Sequence, residues 1–289
     1  MGAAAKTVFL HYTQEELNRN FDQRTWAKNA LEVIARYPVL SKATRERLEH
    51  RAGVAYGRHP DEVLDIFPAA QPGGPVQVFV HGGAWKNFTK DDYSFPAEVF
   101  VPAGVSTVVL NFSKLPAERL PTVVDQVRRG FEWVRANAAS FGADPSRVYV
   151  SAQSSGAHLS AAALGKGASA FVKAATLVSG PYYLEPVMLS PRSDYVKLQG
   201  DEVNDLSPGL HPERIRCPVL MAYGEHDTDE FRRQTREFAA GLARTGRLTK
   251  LIDCPNVNHF ELMERFGDPR HELTRAILEL MGKGQPWQD

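Results

Sequence analysis

The sequence predicts an α/β domain whose mostly parallel sheet is covered by helices on both faces. Eight short apolar runs rich in β-branched residues recur along the chain, amphipathic helical segments separate most of them, and a hairpin opens the series. Strands that alternate with helices pair in parallel through crossovers, which place the helices over the two faces of the sheet.

Residues 1–50 read as a helical N-terminal extension. Apolar residues recur at helical spacing beside charged faces at 15–20, 25–36 and 41–50, and Pro38 separates the last two. The extension precedes the first strand, so it wraps the outside of the domain formed by 51–289, either as plain packing or as a cover over a pocket. Strands are expected at 52–56 and 62–67, flanking a Gly-Arg-His-Pro turn, then at 76–80, 106–111, 147–151, 174–179, 218–223 and 248–252. Val123, Val124, Val127, Phe131 and Val134 form an apolar stripe with Arg128, Arg129 and Glu132 on the other side, and 231–243 and 272–280 are similarly amphipathic. The stretch 184–216 is too long for a simple connection and carries Pro186, Pro191, Pro208 and Pro212. Short helices over the carboxyl edge of the sheet are expected there, forming a small cap together with the N-terminal helices.

Composition narrows the function classes. With 289 residues, 43% of them hydrophobic, the chain can bury one sizeable core. Lys plus Arg equals Asp plus Glu at 34 each, which argues against a nucleic-acid or anionic-membrane surface. No apolar run approaches the roughly 18 residues of a bilayer span. The start, Met1 to Lys6, lacks the apolar stretch of a signal peptide and has Lys where a myristoylation signal needs Ser or Thr, so a cytoplasmic location is the expectation. Cys217 and Cys254 are too few for a disulfide framework or a four-thiolate metal site and read as buried free thiols. There is no His-Glu-x-x-His, and His271-Glu272 alone is not a metal site, so none is expected.

Chemistry concentrates at the ends of four expected strands. In Val148-Tyr-Val-Ser-Ala-Gln-Ser154-Ser-Gly-Ala-His158 a strand runs into a sharp turn and then an Ala-rich helix. Small residues stand two before and two after Ser154, at Ala152 and Gly156, where bulk would collide with the neighbouring strand and helix. Such a turn lifts a serine oxygen above the sheet edge. The strand at 76–80 leads into His81-Gly-Gly-Ala-Trp85, whose glycines let the backbone approach a ligand and leave N–H groups free. Gly83 and Ala84, with the N–H of Ser155, are the candidate oxyanion hole, and losing one such donor typically costs about 3 to 4 kcal/mol. Trp85 abuts the hole as a candidate pocket residue.

A serine hydroxyl needs a base in hydrogen-bond reach and an acid to orient that base. Of nine histidines, His259 is best placed, in a turn-rich loop after the last strand. Asp227, after the preceding strand, is the candidate acid; Glu225 and Asp229 are its competitors, with Asp229 read as a cap of the next helix. Each candidate lies just past the carboxyl end of a strand, where open parallel sheets assemble their sites. His226 reads as a surface residue, His158 as a packing or hydrogen-bonding residue, and His81 as a brace of its own loop.

With these four motifs the chain resembles an α/β-hydrolase of the esterase/lipase type. Asn111-Phe-Ser-Lys-Leu-Pro-Ala-Glu-Arg-Leu-Pro121, Phe141-Gly-Ala-Asp144, Ser179-Gly-Pro-Tyr-Tyr-Leu-Glu-Pro186, Glu230-Phe-Arg-Arg-Gln234 and Asn258-His-Phe260 are similar to the kynurenine formamidase (arylformamidase) branch. Ala152 replaces the usual glycine, Ser155 the usual alanine, and Tyr183 an expected Asp. The resemblance implies an α/β-hydrolase fold and a serine hydrolase that cleaves a carboxylic ester or amide through an acyl-enzyme. Ser154 would be the nucleophile, His259 the base and Asp227 its orienting acid, with no cofactor. An N-formyl aromatic amine is the sharpest substrate class. A general carboxylesterase, a xenobiotic amide or carbamate hydrolase, and a non-catalytic binding member of the fold are the alternatives. Trp85, Phe88, Tyr93, Tyr182, Tyr183 and Phe260 suit an aromatic or apolar small-molecule substrate, with Trp85, Tyr182, Tyr183 and Phe260 as the candidate binding residues. A homodimer is compatible with the family.

Overall fold

The eight expected strands come together in one sheet. In the computed structural model, which describes residues 6–284, they are β3 (Arg51–Ala55), β4 (Val63–Phe67), β5 (Gly74–Val80), β6 (Ser106–Leu110), β7 (Ala143–Gln153), β8 (Ala174–Val178), β9 (Val219–Gly224) and β10 (Leu248–Cys254). Their spatial order is β10-β9-β8-β7-β5-β6-β4-β3. From β10 to β6 every neighbouring pair is parallel, whereas β4 pairs antiparallel with both β6 and β3. This is the α/β-hydrolase arrangement. Residues 1–5, on which the expectation about a signal peptide or acylation signal falls, lie outside the described residues.

Each face of the sheet carries its own core, because successive strand residues point to opposite sides. Val76, Val78 and Val80 of β5 and Val148, Val150 and Ala152 of β7 pack under α4 (Leu120–Asn137), α5 (Ser155–Gly165) and α9 (Asp229–Arg244). Phe79, Tyr149, Leu220 and Ile252 face the other way, against α2 (Ala30–Arg47), α3 (Ala97–Phe100), α10 (Glu261–Phe266) and α11 (Glu272–Leu280). The stripe Val123, Val124, Val127, Phe131 and Val134 is buried as expected of α4. The segment 184–216 folds into three one-turn helices, α6 (Glu185–Met188), α7 (Ser193–Val196) and α8 (Glu202–Asp205), followed by two 3₁₀ turns. No helix among the described residues is long and apolar enough to cross a membrane.

The N-terminal extension departs from the all-helical expectation in two ways. It opens with a small hairpin, β1 (Thr7–Phe9) and β2 (Tyr12–Thr13), and Thr13 then caps α1 (Gln14–Asn20) in a capping box with Glu16. Pro38 does not divide the next two segments, which form the single helix α2. Val33, Tyr37, Ser41 and Thr44 are buried along one side, whereas Pro38 lies on the exposed side, where water can meet the carbonyl that loses its partner. Tertiary packing of the buried side overrides the local preference to break.

Candidate active site

The turn between β7 and α5 holds Ser154 at φ 58° and ψ −130°, a left-handed conformation that a non-glycine residue adopts only when its surroundings enforce it. The Ser154 N–H donates to the Val178 carbonyl on the neighbouring strand at 2.8 Å, and Gly156 explains why the turn fits. A Cβ at Gly156 would lie 2.3 Å from the Val80 carbonyl oxygen and 2.4 Å from that of His81. At Ala152 the methyl group is accommodated within the core, fully buried, so the first glycine of the usual pattern is not needed here.

His259 reaches this serine from the loop after β10. Its Nε2 is 2.9 Å from Ser154 Oγ, and its Nδ1 is 3.0 and 3.1 Å from the two carboxylate oxygens of Asp227. A carboxylate only accepts, so Nδ1 carries the proton and Nε2 is left to accept from the serine hydroxyl. All three side chains are buried. The competitors for the acid point elsewhere: Glu225 is exposed and accepts from the Asn256 N–H, and Asp229 is exposed and pairs with Arg232. Thr228, not Asp229, caps α9, since its hydroxyl is in place to accept from the Phe231 N–H one turn on.

The His259 loop is braced from two directions. Gln153, the residue before the serine, donates through Nε2 to the His259 carbonyl at 3.0 Å. From the N-terminal extension, Asn29 exchanges side-chain bonds with Asn258 and Glu261, and the Tyr37 hydroxyl donates to the Phe260 carbonyl. Gln153 sits inside the serine motif but occupies one of its variable positions, so no signal in the sequence marks it.

The loop after β5 runs through a succession of positive φ angles, 119° at Gly83, 53° at Ala84 and 61° at Trp85. A Cβ at Gly83 would lie 2.2 Å from the Asn87 carbonyl oxygen, so this position requires glycine. Among the described residues the N–H groups of Gly83, Ala84 and Ser155 donate to no protein acceptor, whereas the Trp85 N–H is committed to Ser155 Oγ at 3.0 Å. The hydroxyl of Ser155 thus braces this loop.

A cleft of about 750 Å³ opens over the site. Gly83, Ala84, Gln153, Ser154, His259 and Phe260 line its floor, and residues from 18 to 37 of the N-terminal extension supply one wall. Phe88 and Tyr93 also line it. Of the four aromatic candidates for binding, only Phe260 does. Trp85 is buried edge-on against the His158 ring, and Tyr182 packs on Phe238. Tyr183 lies over Gly209, whose Cβ would fall 2.4 Å from the ring, and beside Arg233. Trp85 and Tyr182 fill the interior, and Tyr183 is half-buried outside the cleft. Ser155 is fully buried and outside the lining as well.

His81, His158 and His226 follow their sequence readings. His81 stacks on Phe112 with ring centres 4.4 Å apart, bonds through Nδ1 to the Gly82 carbonyl, and is pushed down to a pKa of about 4 by burial. His158 accepts from Trp85 Nε1 and donates through Nε2 to the Leu206 carbonyl at 2.8 Å; burial pushes it down to about 4 too. His226 is exposed. Cys217 and Cys254 are free and buried, and burial raises both thiols to about 12. No cluster of three or more His, Cys, Asp or Glu side chains among the described residues is placed to hold a metal ion.

Residues 123–281, more than half of the chain, match the prolyl oligopeptidase family. The chain belongs to that family. A second family, BD-FAE, matches residues 64–176. A kynurenine formamidase of Salmo salar is 29% identical, with 93% of this chain and 97% of that protein covered, and one of Danio rerio is 27% identical over 94% and 97%. Esterase LipQ of Mycobacterium tuberculosis is 30% identical over 69% of this chain and 54% of its own length. Among solved structures, an esterase of Pyrobaculum calidifontis superposes with a TM-score of 0.70 at 16% identity, covering 89% of this chain and 92% of its own. An arylesterase superposes at 0.65 and 18%, covering 92% and 96%. This member of the prolyl oligopeptidase family is a serine-hydrolase-type enzyme that acts on ester or amide bonds.

Proposed function

We propose that the protein hydrolyses a small-molecule ester or amide through an acyl-enzyme on Ser154, with an N-formyl aromatic amine as the sharpest substrate class. The observation that carries this reading is the chain of contacts Asp227, His259 and Ser154, at 3.0 and 2.9 Å, beside the unpaired N–H groups of Gly83 and Ala84. Ser154 Oγ attacks the carbonyl carbon as His259 Nε2 takes its proton, and the developing oxyanion is met by Gly83 and Ala84 together with Ser155. The proton then passes from His259 to the leaving amine or alcohol as the C–N or C–O bond breaks. Water, deprotonated by the same nitrogen, hydrolyses the acyl-enzyme and restores Ser154. Asp227 holds the imidazole in one tautomer throughout.

The formamidase reading draws its support from the two fish formamidases, which match this chain along nearly its whole length. General esterase activity is the second reading, favoured by the Mycobacterium esterase and by a cleft open enough for larger acyl groups. Phe88, Tyr93 and Phe260 fit an aromatic or apolar portion of either substrate. A cytoplasmic setting suits the two free thiols. The deciding measurement is kcat/KM for N-formylkynurenine against p-nitrophenyl acetate, with Ser154→Ala as the blank. A clear preference for the formamide is expected. Ester hydrolysis with a negligible formamide rate would move the protein to the esterases, and turnover retained by Ser154→Ala would overturn the mechanism.

A further inference from the structure

Arg192, only 8% exposed, lines the same cleft as Ser154 and His259. Its contacts are all neutral. Nε and Nη2 donate to the Phe21 carbonyl at 3.1 and 2.7 Å, and Nη2 also donates to Gln23 Oε1 at 2.7 Å. The rings of Phe21 and Phe231 lie 5.3 and 5.6 Å from the guanidinium carbon. Nη1 has no acceptor, and no carboxylate pairs with the group among the described residues. A buried cation ordinarily has an anionic partner, because neutral acceptors offset only part of the cost of taking it out of water. Desolvation accordingly holds the Arg192 pKa below its ordinary value.

The rest of the cleft has the same sign. Arg19, Arg24 and Lys86 line it with Arg192, against the one carboxylate of Asp22, which is already engaged by Arg24 Nε at 3.1 Å. The chain as a whole is balanced, 34 cationic against 34 acidic residues, so the excess is local to the mouth of the site. Clefts lined by one sign of charge concentrate ligands of the other.

We propose that the cleft selects esters or amides bearing a carboxylate away from the scissile bond, and that Arg192 is the specificity-determining cation. This rests on the hydrolase reading of Ser154. The carboxylate supplies in direct contact the countercharge that Asp22 provides only from a distance, and the planar guanidinium suits it better than an ammonium would. Because Arg192 also ties the Phe21 carbonyl to the cleft wall, the anion and the N-terminal extension meet at one side chain.

The test uses the full-length protein and two ester pairs. p-Nitrophenyl butyrate against mono-p-nitrophenyl glutarate places the anion on the acyl side, and phenyl acetate against 4-acetoxybenzoate places it on the leaving group. In at least one pair kcat/KM is expected to favour the carboxylate at least ten-fold at low salt, and that ratio is expected to fall at least five-fold in Arg192→Gln. The ratio is internal to each variant, and labelling of Ser154 by a fluorophosphonate reports how much of it is folded. Should Arg192→Gln not label, Arg192→Lys keeps the charge without the fork and is expected to lower the ratio less. Preference for the neutral ester in both pairs, with turnover and labelling intact, would overturn this inference and leave the hydrolase reading standing. A preference that survives in Arg192→Gln would overturn the role of Arg192. Absence of both labelling and turnover in the wild type would instead overturn the hydrolase reading itself.

Discussion

The indole N–H of Trp85 donates to Nδ1 of His158 at 3.1 Å, joining the glycine loop after β5 to the helix that follows the serine on β7. A second tie runs beside it, from the Trp85 backbone N–H to Ser155 Oγ. The two loops that would flank a tetrahedral intermediate are therefore fixed to each other through buried groups, with His158 anchored in turn to the Leu206 carbonyl in the cap segment. Replacing His158 with Leu strands two buried polar partners, at about 1 to 3 kcal/mol. Chemical denaturation is expected to register that loss, with kcat falling more than KM rises. His158→Gln, which can both accept and donate, is expected to recover part of both.

Stability should fall on the acid side of neutrality. His81 and His158 are held down to about 4 by burial, whereas an unfolded histidine titrates near 6.5. Above about 6.5 neither state binds the proton and the two histidines leave stability unaffected. As pH drops from there toward 4 the unfolded chain takes up protons that the folded one refuses, so stability is lost, up to about 3 kcal/mol per histidine. Urea midpoints measured from pH 7.5 to 4.5 are expected to decline, and His158→Gln to flatten part of the slope. A midpoint independent of pH over that range would show that the two imidazoles are not buried as neutral groups.

Asp227→Asn is expected to lower kcat by about 10⁴-fold with little change in denaturation midpoint. The amide preserves the shape and can keep the bond from the Thr228 N–H, but it no longer fixes the His259 tautomer that accepts from Ser154. Stopped-flow ester hydrolysis compared with Ser154→Ala sets the scale, and a variant within ten-fold of wild type would remove Asp227 from the site.

The two small residues of the serine turn should respond in opposite ways. Gly156→Ala drives a methyl group into the Val80 and His81 carbonyl oxygens, and the yield of folded protein is expected to collapse. Ala152→Gly, which restores the usual pattern, is expected to fold and turn over, losing on the order of 1 kcal/mol to chain entropy and a lost methyl contact. Thermal melts of both variants make the comparison.

Pro38→Ala should stabilise the protein. The ring interrupts the hydrogen-bond ladder of α2 on its exposed side, where no packing compensates, and alanine restores the missing N–H. A gain of about 1 to 3 kcal/mol in the denaturation free energy is expected, without change in kcat/KM.

Much of this site is written in local sequence. The Ser154 turn, the paired glycines after β5 and the positions of Asp227 and His259 past their strands all follow from strand ends, small residues and chain order. The sheet places all four at one edge because its central strands run parallel. Asp227 is separated from Glu225 and Asp229 only by which side chain turns inward, and periodicity does not resolve that within a loop. The sequence by itself determined the α/β order and the eight strands, since each depends on residue spacing over a few positions. The tertiary structure decided what depends on distant surfaces. It buried one side of α2 and so carried that helix through Pro38. It turned Trp85 and Tyr182 into the interior and Tyr183 away from the cleft, and it brought Arg192 and the Phe21 carbonyl together on the cleft wall. Those outcomes depend on contacts between segments far apart in the chain, and no local pattern records which surfaces will meet.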